Sequence, residues 1–177
     1  MKAYRNLYKL IFVTILLIVI SCGKDKKQEV DNADLNSTDS HSEVEFSDKN
    51  IQQVYAMYLE IKAGLVNSDI EVVRSTSKKL EETLEDTEEY KQLKATSKLI
   101  SLTKDLQKQR DFFVTITDEI DNIVSNANII SGEVYKQYCP MAFDGSGGYW
   151  LSDSEEIRNP YFGNKMLKCG NVKETIK

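Results

Sequence analysis

The sequence predicts a mainly α-helical protein: an up-down bundle of three to four helices, followed by a small loop-rich C-terminal lobe with room for a short β-hairpin. Three observations predict it. From Ile51 to Ala127 apolar residues recur at intervals of three and four, the pattern of helices that each bury one stripe. Links of two to five residues between those stripes make neighbouring helices antiparallel. Beyond Asn128 the helical signal stops, and glycine turns with few aliphatic residues take over.

Residues 1–21 read as a leader. Lys2, Arg5 and Lys9 form a positive n-region, and Leu10 to Ile20 is an apolar run broken only by Thr14. That run of 11 residues is too short for a bilayer, which needs roughly 20. Val19-Ile20-Ser21-Cys22 then resembles a bacterial lipobox, which implies cleavage before Cys22 and lipidation of Cys22. Removal of the leader takes the formal net charge from −5 to −8, because all three of its ions are cations. So acidic a chain is a poor partner for nucleic acid, whose binding rests on cations that neutralise phosphate. Membrane attachment would come from acyl chains on Cys22, two of which hold where one does not. The expected location is a membrane, with the outer membrane as host, facing the periplasm or the cell surface.

Residues 22–47 are rich in Asp, Asn, Ser, Lys and Glu, with Val30, Leu35, Val44 and Phe46 as isolated large apolar residues. Such a stretch buries too little to offset its ordering entropy, and it reads as a disordered tether. His41, the lone histidine, falls there and is expected to be solvated.

The bundle is expected over residues 48–130. Ile51, Val54, Tyr58, Ile61 and Leu65 make the stripe of a first helix ending near Asn67. Ser68 with Glu71 reads as a capping box for a second, which carries Ile70, Val73, Ser77, Leu80 and Leu84 and stops around Asp86-Thr87. Tyr90, Leu93, Ser97 and Ile100 give a third, shorter helix, with no strong breaker before the next. Leu106, Gln109, Phe113, Ile116, Ile120 and Ile123 give the longest and clearest one. The Glu and Lys runs between stripes are solvated faces, with Glu85-Asp86-Glu88-Glu89 as an alternative acidic docking patch.

Residues 131–177 form the lobe, one domain with the bundle. Val134 to Tyr138 alternates weakly, as a short strand or a helical turn would. So few aliphatics require a staple from the bundle, from sulfur chemistry or from metal. Cys139-Pro140-Met141 is answered by Met166-Leu167-Lys168-Cys169, two thiols and two thioethers in mirror order. Gathered together, Cys139, Met141, Met166 and Cys169 would suit Cu(I) or Ag(I), since polarizable sulfur matches a weakly hydrated, polarizable ion. A Cys139–Cys169 disulfide is the other reading, favoured by an oxidising compartment. Closing about 31 residues, it would contribute roughly 3–4 kcal/mol. Trp150, Tyr161 and Phe162 are expected to pack on the helices rather than to face a cation. Arg158 is expected to anchor loop carbonyls or a carboxylate.

The series Tyr138-Cys139-Pro140-Met141, Gly148 to Ser152, Ile157 to Gly163, Met166-Leu167 and Cys169-Gly170 resembles the bacterial domain-of-unknown-function family 3347. Gln109-Arg110 with Phe113 is the helical part of that resemblance, which runs from about Ile51 to Gly170. Members occur as free-standing lipoproteins and as C-terminal domains of copper/silver-efflux periplasmic adaptors, so the resemblance implies a place near heavy-metal efflux. Cys-Pro-Met is also similar to metal-binding segments of copper exporters, where histidine often follows; here Ala142 follows. No Cys-x-x-Cys pair and no hydrolase constellation appears, and the expectation is a non-enzymatic protein. It either binds and passes on a soft metal or serves as a disulfide-stapled interaction module.

Overall fold

The structure, a computed structural model, describes residues 44–177. The leader, the Cys22 lipidation site and all of the tether before Val44, with His41, lie outside those residues. In chain order the elements are β1 (Glu45–Phe46), α1 (Lys49–Asn67), α2 (Ile70–Thr83), α3 (Lys91–Leu102), α4 (Leu106–Ser125), β2 (Ile129–Ser131), β3 (Val134–Cys139), β4 (Gly148–Ser152) and β5 (Asn171–Ile176). The fold is mainly α, a four-helix bundle with a small antiparallel β lobe. None of the described helices is long and apolar enough to cross a membrane.

Each helix begins or ends for a local reason. Asp48, Asp69 and Asp105 cap α1, α2 and α4, each accepting from two backbone amides of the first turn. The expected Ser68–Glu71 capping box therefore does not form, and the Glu71 carboxylate pairs with Arg74 instead. Ser68 does not start α2 but closes α1, in the left-handed conformation with φ 58°, and Asp69 takes the capping role. α2 stops at Thr83, short of Asp86-Thr87, because Leu84 turns to an extended backbone. Between α3 and α4 the chain breaks at Thr103–Asp105, where Thr103 is extended and Asp105 caps anew.

α1 packs on α2, α2 on α3, α3 on α4, and α4 back on α1, which closes the bundle. Gly64 permits the first contact: a Cβ there would meet Val73 Cγ2 at 2.8 Å. Tyr58 stacks on Phe113 with ring centroids 5.2 Å apart, tying α1 to α4.

The ordered domain starts earlier than the sequence suggests. Val44 and Phe46, assigned to the tether, are buried, and β1 pairs with β2. So short a strand holds because the Gln52 side chain completes its hydrogen bonding, accepting from Phe46 N at 2.8 Å and donating to Val44 O at 3.1 Å.

The lobe holds a three-stranded antiparallel sheet in the order β4-β3-β5, one strand more than a hairpin. Lys136 pairs with Glu174 and Gln137 with Val172, so Lys173 is an extra residue, a bulge in β5. On the outer edge of β4, the Leu151 amide donates to Tyr58 Oη at 2.8 Å and the Tyr161 hydroxyl donates to the Tyr149 carbonyl. Val134, Cys139, Ala142, Trp150, Leu151 and Tyr161 share one continuous core with the helices. The bundle is thus the staple that this lobe requires.

Candidate functional site

Two side chains, Gln137 and Asn159, both fully buried, shape the interior of the lobe. Gln137 accepts from Trp150 Nε1 at 2.6 Å and donates to the Ser154 carbonyl at 2.8 Å, which fixes the loop after β4. Asn159 turns the chain by accepting from the Tyr161 and Phe162 amides at 2.8 and 3.2 Å. Its other end donates to the Cys169 carbonyl at 2.8 Å. Arg110, from α4, donates to the Pro160 carbonyl at 2.9 Å and to Leu65 O and Ser68 Oγ at 3.2 Å each. Through these contacts the bundle positions the segment that carries Cys169.

Cys139 ends β3, and Cys169 lies just before β5. Their sulfurs are 2.8 Å apart, both as free thiols. Cys139 is wholly buried and Cys169 partly exposed. The Cys169 thiol is pushed up to about 11, first by its hydrogen bond with Cys139, then by burial and by the Cys139 charge, with the Met141 backbone acting in the opposite sense. A thiol so shifted stays protonated at neutral pH, unlike the low-pKa nucleophile of a thiol enzyme.

The two methionines belong to the same corner of the chain. Met141, with 55% of its surface exposed, presents its backbone to the Cys169 sulfur. The Met166 carbonyl accepts from the Cys169 amide at 3.0 Å. The fold therefore brings the two cysteines into contact and seats both methionines beside them in the chain. Gly170, with φ +146°, allows this closure, since a Cβ there would meet Trp150 Cη2 at 2.8 Å and the Tyr138 carbonyl at 2.9 Å. Among the described residues no three His, Cys, Asp or Glu side chains gather as a metal-binding group. The sulfurs that meet are those of Cys139 and Cys169, and a thiol pair, once deprotonated, is a donor set suited to a soft ion of low coordination number.

The aromatic residues do not form the wall of a cation site. Trp150 is fully buried and Tyr161 nearly so, edge to face at 6.0 Å, while Tyr161 meets Phe143 at 4.9 Å. Arg158 lies on the Glu156 carboxylate at 3.2 Å. In the proposed acidic patch, Asp86 pairs with Lys94 at 2.6 Å and Glu88 with Lys91 at 3.1 Å.

Residues 54–132 match the family model of DUF3347, described as protein of unknown function. The chain is similar to that family over this segment. No curated protein and no solved structure matches the chain at a significant level. The DUF3347 match runs from α1 through β2 and ends before β3, so it covers the bundle and not the sulfur corner, although the C-terminal motifs first suggested the family.

Sequence reasoning missed Lys62, which lies buried between α1 and β4 with Nζ donating to Ser152 Oγ at 2.9 Å. Burial lowers its pKa to about 8, with Arg158 adding to the effect and Asp153 opposing it. A signal existed, because Lys62 follows Tyr55 and Tyr58 at helical spacing on one face of α1.

Proposed function

We propose that this protein is a membrane-anchored, non-enzymatic lipoprotein that binds Cu(I) or Ag(I) at Cys139 and Cys169 and hands it on beside a copper/silver-efflux system. The observation that carries the reading is the 2.8 Å approach of the two sulfurs in a lobe whose packing is already supplied by the bundle. A pair of thiols with no evident structural duty is available for chemistry. On binding, both thiols lose protons, and the two thiolates form a low-coordinate site. Met141, exposed beside them, supplies a thioether through which an ion enters and leaves without full rehydration. The lipobox-like Cys22 supports the anchor, and the family resemblance supports the efflux context.

A second reading, the disulfide-stapled interaction module, is favoured by the burial of Cys139 and by the same short separation, which oxidation would need only to contract to about 2.0 Å. A Cu(I) competition titration on the reduced full chain in detergent separates the two. The metal reading expects tight binding of one ion per chain, weakened at least about tenfold, or roughly 1.4 kcal/mol, by Met141→Leu with Met166→Leu and abolished by Cys169→Ser. Failure of the reduced wild-type chain to compete overturns it in favour of the stapled module.

A further inference from the structure

Resting on that reading, we propose that the site is gated by thiol–disulfide exchange, with Cys169 as the sulfur that meets the exchange partner and Cys139 as the resolving sulfur. The reduced pair takes the soft ion; the disulfide excludes it. Three features lead there.

The first is separation. A metal–thiolate bond of about 2.3 Å places two sulfurs about 4.6 Å apart when they coordinate in line, whereas a disulfide needs about 2.0 Å. At 2.8 Å the two sulfurs are in contact but not bonded. The second is asymmetry. Cys139 is sealed in the core at the end of β3, while Cys169 is partly exposed on the segment between the 3₁₀ turn Gly163–Lys165 and β5. Only Cys169 offers its sulfur to a reagent from solvent. The third is independence from the bond. The Cys169 amide and carbonyl are held by Met166 and Asn159, and the surrounding core is continuous with the bundle, so the segment keeps its place with the thiols reduced.

The chemistry balances with a low-molecular-weight disulfide as oxidant. Cys169 loses its proton to solvent, and its thiolate attacks one sulfur of the reagent, forming a mixed disulfide and expelling one thiolate. Cys139 then loses its proton and attacks the Cys169 sulfur, forming the Cys139–Cys169 bond and expelling the second thiolate. Two thiols have given up two electrons, and the reagent has been reduced to two thiols. In reverse, an external thiolate attacks Cys169 and Cys139 departs.

The test uses the full chain in detergent, with Cys22→Ser so that only this pair reacts, and with oxidised glutathione as the reagent and Ag(I) as the probe. Mass spectrometry is expected to show the chain losing the mass of two hydrogens on oxidation, and Ag(I) binding is expected to vanish with that loss and return with dithiothreitol. Cys139→Ser, and Cys139→Ala as a second variant against misfolding, is expected to accumulate a glutathione adduct on Cys169. Cys169→Ser is expected to remain unmodified. Ag(I) binding that persists in the disulfide form, or equal adduct formation on either single thiol, overturns the gate while leaving the metal reading intact. Absence of Ag(I) binding in the reduced chain overturns both, even if the masses report a working exchange cycle.

Discussion

In the bundle, Ile61, Leu65, Leu80, Leu93, Ile100 and Ile116 are enclosed completely, with small polar side chains such as Thr76, Ser77, Thr96 and Ser97 buried among them on helices whose backbone is already paired. The lobe has Val134, Trp150 and Leu151 for the same purpose, and completes its interior with Gln137, Ser152 and Asn159. The bundle is specified by where apolar stripes fall, a criterion many sequences meet. Specification of the lobe comes from side chains such as Gln137 and Asn159, which satisfy two and three backbone groups, and a buried group left without its partner costs about 1–3 kcal/mol. The difference teaches that a region poor in aliphatics is ordered here by polar partners and by its seat on the helices.

The largest expected effect tests whether the two regions stand or fall together. Trp150→Ala removes the biggest side chain of the lobe and the donor to Gln137, and is expected to cost roughly 3–5 kcal/mol. Because Trp150 belongs to the core shared with the helices, denaturant unfolding followed by helix signal is expected to shift as one cooperative transition. Two separate transitions would mean that the lobe is an independent unit.

A smaller effect is expected from Asn159→Ala, on the order of 3 kcal/mol, since the Tyr161 and Phe162 amides and the Cys169 carbonyl all lose a partner. Its sharper signature is local: iodoacetamide should label Cys169 faster than in the wild type while helix content in water is unchanged. An unchanged labelling rate would remove Asn159 from its role in holding the sulfur corner.

The smallest concerns Lys62. Its folded pKa, about 8, lies below the unfolded value of 10.5, so above pH 8 the unfolded chain binds more protons and folding stability rises with pH. Between pH 7 and 9 the gain is expected to be about 1 kcal/mol, in a range below the titration of the Cys169 thiol. Lys62→Met should abolish that rise. A rise that survives the substitution would assign it to another group.

The helices were legible because a stripe at three and four is read without knowledge of tertiary structure. The exceptions have physical causes. Ser68 and Asp69 are both good capping residues, and composition alone does not tell which of two neighbours takes the left-handed turn. β1 is two residues long, and its backbone is satisfied by Gln52, a side chain six positions on, which no alternation announces. β5 is exposed along nearly its whole length and so shows no inside and outside to read. At the candidate site, the mirror order of Cys139-x-Met141 and Met166-x-x-Cys169 was visible, and the fold does bring the cysteines together. What holds them there was not visible. Asn159-Pro160 has the composition of an ordinary turn, and the burial of Asn159 is decided by partners that the local sequence does not announce, the Cys169 carbonyl among them.

The tyrosine hydroxyls on β4 have a consequence for how copies of this protein meet. An exposed strand is a template on which another chain can be added, and growth from such a template is a common route to insoluble assemblies. Tyr58 and Tyr161 occupy the outward amide of Leu151 and the outward carbonyl of Tyr149, so a visiting strand would find those groups already engaged. At the opposite margin the bulge at Lys173 breaks the regular spacing that a neighbour would have to match. The sheet is finished at three strands, and molecules held side by side at high local concentration would have little to polymerise on.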